Sequence, residues 1–103
     1  MIQAVQNKAE LLSLLSRNAS TIRSFGVNRI GLFGSFTNGT VHEKSDVDFL
    51  LDFNKEEKSF RNLMDLGYFL EQLLGRKVEL ITRESLSPYL GPHILKSVEN
   101  VSI

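Results

Sequence analysis

The stretch from Ile30 to Phe53, IGLFGSFTNGTVHEKSDVDFLLDF, constrains the fold of this chain more than any other. An apolar run (Ile30, Leu32, Phe33) breaks at Gly34-Ser35, and after a polar loop a second apolar run carries Asp46 and Asp48 two positions apart. Side chains two apart on a strand project from the same face. Two carboxylates are therefore expected side by side just past a Gly-Ser turn, an arrangement suited to divalent cations and the phosphates that travel with them.

The flanking segments supply what such a strand pair needs as cover. Between about Asn7 and Phe25, Leu11, Leu12, Leu14, Leu15 and Ile22 recur at helical spacing. Asn7 with Glu10 three residues later has the form of a capping box, and Gly26 stands where a C-cap glycine belongs. Val27–Phe33 and Val47–Phe53 read as strands; in the second, Val47, Phe49, Leu51 and Phe53 face the core, and Asp46, Asp48, Leu50 and Asp52 face the other way. The loop 34–45 is expected to face solvent. Ser59 caps a helix running to Leu74, with Phe60, Leu63, Met64, Phe69, Leu70, Leu73 and Leu74 as its apolar stripe and Gly75 as its stop. Residues 77–81 form a short third strand on which Glu79 lies opposite Val78 and Leu80. The tail from His93 to Val101 is helical or extended. The order predicts an α/β or α+β domain spanning 1–103, a small mixed sheet flanked by helices.

Composition excludes several functions. The 12 basic and 12 acidic side chains cancel, which argues against strong nucleic-acid binding. With no cysteine there are no disulfides, thiolate nucleophiles or Cys-based zinc sites. No stretch approaches the roughly 20 apolar residues of a membrane span, and the start lacks the pattern of a secretory leader, so a cytoplasmic protein is expected. His42 and His93 do not make a metal-ligand spacing. Arg76 and Lys77 could face phosphates, or simply complement the preceding helix dipole.

Mg²⁺ prefers oxygen ligands and is usually held by one or two carboxylates plus substrate phosphates. Asp46 and Asp48 could bridge two such ions roughly 3.5–4 Å apart. Gly34, without a Cβ, lets the backbone approach a triphosphate, and Ser35 offers an N–H and a hydroxyl. Either dipeptide alone is usually an ordinary turn or a solvated loop; the joint pattern is far more specific.

Gly34-Ser35, ten residues, then Asp46-Val47-Asp48, with Gly39 inside the loop and Ser45 before the first aspartate, resembles the signature of the DNA polymerase β-like nucleotidyltransferases. The chain length, the GRKVELIT segment and the LSPYLGPHIL tail narrow the resemblance to the minimal nucleotidyltransferases. The resemblance implies the polymerase β-like fold and Mg²⁺-dependent transfer of a nucleoside monophosphate from ATP or another NTP to a hydroxyl, with two Mg²⁺ ions. It implies Asp46, Asp48 and Glu79 as catalytic and metal-binding residues, and Gly34, Ser35, Gly39 and Ser45 as nucleotide-binding. It also implies a helical HEPN-type toxin as partner, in a homo- or hetero-oligomer, with this chain as the antitoxin. Two departures stand out: Glu79 where relatives usually carry aspartate, and Thr37-Asn38-Gly39 where they often carry Ala-Arg-Gly. The alternatives are a binding module that neutralises the toxin by complex formation, and a small-molecule nucleotidyltransferase of the aminoglycoside type.

Overall fold

The computed structural model describes residues 4–103; residues 1–3 of the predicted 1–103 domain lie outside it. Four strands build one mixed sheet: β1 (Val27–Phe33), β2 (Val47–Phe53), β3 (Val78–Thr82) and β4 (Glu99–Val101), in the order β3-β2-β1-β4. The β1–β2 and β1–β4 pairings are antiparallel, and β2–β3 is parallel. A parallel pair needs a crossover. Helix α4 (Phe60–Leu74) supplies it, capped by Ser59, whose hydroxyl accepts the Asn62 N–H at 3.0 Å.

The N-terminal helical segment is two helices, α1 (Lys8–Arg17) and α2 (Ala19–Arg23), rather than the single helix that the leucine spacing predicts. Asn18 causes the break: it leaves helical geometry at φ −114°, and its side-chain amide donates to the Leu14 carbonyl at 2.8 Å. Short amide side chains compete for backbone partners in this way and favour helix ends. The Asn7 cap forms as expected, accepting the Glu10 N–H at 2.9 Å, but the Glu10 carboxylate reaches back to Gln6, one residue before the cap.

One face of the sheet carries the core. Ile30 and Leu32 from β1 and Val47, Phe49 and Leu51 from β2 are buried against Leu11, Leu15 and Ile22 and against Leu66, Leu70 and Leu74 of α4. The inward line of α4 thus differs from the predicted stripe. Leu66 is fully buried, while Phe60, Met64 and Tyr68 are exposed. At 100° per residue those three lie four apart and turned roughly 80–160° away from Leu70, so the helix has two apolar lines and only one reaches the core.

The segment between β1 and β2 also departs from a solvated loop. It opens with a short helix, α3 (Ser35–Asn38), which buries Phe36, and Ser45 is buried at the other end. An aromatic side chain next to a strand end is covered where the fold permits, because its burial is worth more than its exposure. The tail forms α5 (Gly91–Ser97) and then β4, with Val98 packed over Gly31.

Candidate active site

The carboxylates come together through sheet register. Across the antiparallel pairing Asp48 lies opposite Phe33, the last residue of β1, and across the parallel pairing it lies beside Glu79 of β3. Neighbouring strands are about 4.8 Å apart and paired residues share a face, so Asp48 and Glu79 stand side by side. Asp46, one residue before β2, adds a third, exposed carboxylate to the same end of the sheet.

Gly34 follows directly on β1 and presses on this cluster. Its backbone, at φ +81° and ψ −150°, occupies a region almost closed to other residues. A Cβ placed there would overlap Oδ2 of Asp48 and lie 3.2 Å from its Cγ. The Thr37 hydroxyl and N–H both donate to the Gly34 carbonyl, at 2.8 and 3.0 Å, which fixes the turn into α3. The other phosphate-binding candidates are placed as follows. Ser35 is half-buried at the start of α3. Gly39 ends α3 at φ +79° with open space around it. The Ser45 hydroxyl is turned into the loop, where it accepts the His42 N–H at 2.8 Å.

Electrostatically the cluster is short of positive charge. Burial, then the charge of Glu79 and a hydrogen bond with it, then the charge of Asp46, push the Asp48 carboxyl up to about 6. Asp52, two pleats further along the same face, shows the contrast. Arg83 Nε donates to both of its oxygens at 3.0 and 3.2 Å, and Arg29 Nε approaches to 3.8 Å. Among the described residues, ion pairs join Lys8 to Glu99, Lys58 to Glu84, and Arg29 and Arg83 to Asp52; none reaches Asp46, Asp48 or Glu79. Carboxylates crowded without a counter-charge are costly unless a cation compensates them. The donors are all hard oxygens, which suits Mg²⁺. Among the described residues no three His, Cys, Asp or Glu side chains are grouped so as to hold a metal ion by themselves; an ion here would need further ligands, such as substrate phosphates.

Spacing and periodicity did not mark out Arg76. It follows the Gly75 C-cap, is only 8% exposed, and donates four hydrogen bonds to backbone carbonyls, three of them in the loop before Asp46. The Arg76-Lys77 pair after Gly75 is the available signal, which reads as facing phosphates or complementing the helix dipole; Lys77 is exposed, whereas Arg76 turns inward onto backbone carbonyls. His42 and His93 are exposed.

Comparison with known proteins agrees with this geometry. Residues 12–101 match the family model of the nucleotidyltransferase domain, and the chain belongs to that family. It is a nucleotidyltransferase of the adenylyltransferase type: over 90 residues it is 39% identical to the protein adenylyltransferase MntA of Thermococcus cleftensis, covering 86% of this chain and 90% of the relative. Among solved structures, a chain described as a candidate minimal nucleotidyltransferase superposes with a TM-score of 0.81 at 26% identity, covering 94% of this chain and 98% of the other. A toxin–antitoxin crystallised with AMP-PNP shares the fold at a TM-score of 0.66 and 24% identity, covering 93% of this chain and 73% of that one.

Proposed function

We propose that residues 1–103 act as one domain that moves AMP from ATP to a hydroxyl of a partner protein, and that the partner is a helical toxin which this chain, as antitoxin, inactivates. The observation that carries the reading is the crowding of Asp48 against Gly34 and Glu79, with no ion pair among the described residues reaching either carboxylate. In the transfer, the acceptor oxygen bonds to the α-phosphorus of ATP, the bond from that phosphorus to the α–β bridging oxygen breaks, and pyrophosphate leaves. Glu79 takes the hydroxyl proton, as the more exposed of the two adjacent carboxylates. Gly34 and Ser35 bring backbone N–H groups and a hydroxyl close to the phosphates, with Gly39 and Ser45 shaping the loop around them. Two Mg²⁺ ions would be held by Asp46 and Asp48, with Glu79 completing one shell as the alternative to its role as base, and would neutralise the triphosphate and acidify the acceptor hydroxyl. We place the reaction in the cytoplasm, where ATP and Mg²⁺ are available. Among the described residues no helix is long and apolar enough to cross a membrane.

A second reading is supported by the surface of α4. Phe60 and Tyr68 are 77% and 69% exposed, with Met64 between them, a solvent-facing apolar line of the kind that marks protein partners. Neutralisation by covering the toxin would use this surface and leave the carboxylates secondary.

Incubation of the purified product of the neighbouring gene with Mg²⁺ and α-labelled ATP separates the two. Label should enter the partner with the wild type and not with Asp46→Asn or Asp48→Asn. Neutralisation that survives in the absence of any label transfer would replace the enzyme with the binding module.

A further inference from the structure

We infer that Arg76 is a positioning residue of this site: its guanidinium fixes the backbone from which Asp46 projects and ties it, through Phe36, to the Gly34-Ser35 turn. The inference rests on the nucleotidyl-transfer reading and adds a residue to it.

Arg76 Nε donates to the Val5 carbonyl at 2.7 Å. Nη1 donates to the carbonyls of His42 at 3.0 Å, Glu43 at 3.3 Å and Ser45 at 2.9 Å. All four partners are neutral, and among the described residues no ion pair includes Arg76. Arginine cannot shed its charge, and a buried cation compensated only by carbonyl dipoles is a poor choice for stability alone, since an apolar side chain of similar volume avoids the desolvation cost. What the guanidinium offers instead is a rigid fork of donors that can hold several carbonyls in one geometry.

The position of those carbonyls gives the fork its consequence. Residues 40–46 belong to no helix or strand, so no ladder orders them. The Ser45 carbonyl lies in the same rigid peptide plane as the Asp46 N–H, so holding the one sets the direction in which the next residue leaves. Asp48 and Glu79 need no such help, because the pairing of β2 with β3 places them. The guanidinium also lies over the Phe36 ring, 5.3 Å from its centroid, in favourable cation–π geometry. Phe36 is the second residue of α3, next to Ser35. One side chain therefore bridges the two stretches of the site that the sheet does not fix: the loop carrying Asp46 and the turn after Gly34.

The test is a double-mutant cycle read in Mn²⁺ affinity by electron paramagnetic resonance with ATP present, using Arg76→Lys with Asp46→Asn and, as comparator, with Glu79→Gln. Lysine keeps the charge but has no fork. Groups that orient ligands typically contribute 10–100-fold in metal affinity, so Arg76→Lys should weaken Mn²⁺ binding by about that much in the wild-type and Glu79→Gln backgrounds. In the Asp46→Asn background it should cost little. Phe36→Leu, which keeps an apolar side chain in the core and removes the ring, should shift affinity the same way by a smaller factor, and it serves if Arg76→Lys does not fold. Amide exchange should quicken at residues 42–46 in Arg76→Lys while residues 48–51 stay protected. Equal losses in all three backgrounds, or unchanged affinity and exchange, would overturn the inference. A wild type that transfers no AMP would instead overturn the proposed function, and the Mn²⁺ cycle would still decide whether Arg76 sets Asp46.

Discussion

Replacing Gly34 by alanine should injure activity more than stability, and the two magnitudes follow from separate features of one residue. The first is the backbone: φ +81° with ψ −150° is a conformation essentially reserved for glycine, costing about 1–3 kcal/mol for any other residue. In a domain of this size that lowers Tm by roughly 5–20 °C, partly offset because alanine also stiffens the unfolded chain. The second is contact with the site. A new Cβ would overlap Asp48 Oδ2, and because its distance to Cγ is also only 3.2 Å, turning the carboxylate does not clear it. The side chain must withdraw by about 1 Å to restore ordinary contact, and a shift of that size costs on the order of 100-fold in rate. Gly26→Ala is the control. It too pays for a positive φ, +92°, and meets Glu57 Cβ at 2.6 Å, but it sits just before the other end of the same strand, opposite Asn54 and roughly 20 Å from Asp48. Single-turnover AMP transfer is measured for both variants well below their Tm. The expected pattern is comparable loss of Tm with loss of rate in Gly34→Ala alone. Equal rates for Gly34→Ala and wild type, or equal losses in both variants, would refute the assignment of Gly34 to the site.

Four further outcomes are expected. The Asp48 carboxyl is raised from its unfolded value to about 6 in the folded protein, so its contribution to stability is fully present below about pH 4 and is lost as pH rises through 6. Since the group is half-buried and screened, the loss is discounted to about 1 kcal/mol. In EDTA, Asp48→Asn should match wild type in Tm at pH 4 and exceed it by roughly 4–8 °C at pH 8, and a gap independent of pH would contradict the crowding argument. Glu79→Gln should lower transfer by about 10²–10⁴-fold with nearly intact Mg·ATP binding, while Glu79→Asp should hold or raise the rate; rapid-quench kinetics distinguish them. Calorimetric titration should show ATP binding only with Mg²⁺ present, and neither with nor without it in an Asp46→Asn/Asp48→Asn double variant. Leu70→Ala, which empties a fully buried position of α4, should cost about 2–5 kcal/mol in urea denaturation while leaving the ligand site untouched.

The parts of the site legible in the sequence are those fixed by covalent geometry over a few residues. The alternation of a strand puts Asp48 and Asp52 on one face and Val47, Phe49 and Leu51 on the other whatever the rest of the chain does, and in the structure the three apolar residues are buried while both aspartates are half-buried. Asp46, one residue before β2, is not placed by that alternation. The Gly-Ser break, the Asn7 and Ser59 caps and the Gly75 stop are likewise local. Helical periodicity was less decisive, because α4 carries two apolar lines and its sequence does not say which will meet the sheet. Local spacing likewise left the break at Asn18 and the burial of Phe36 unforeseen.

What brings Glu79 to Asp48 is a parallel pairing closed across the whole of α4, and register between strands so far apart is chosen by which arrangement buries Leu66, Leu70 and Leu74 on the sheet. Family resemblance pointed to Glu79; no spacing within the chain did. Arg76 is the extreme case. Its partners at Val5 and at 42–45 lie far away in sequence, and a charged residue after a helix end reads as solvent-exposed until the fold closes around it. By itself, then, the sequence determined which residues carry charge and which face of their strand they take, through bond geometry alone. Only the tertiary structure decided which of those charges meet and which backbone a buried guanidinium holds, because both depend on the packing of segments that share no local period.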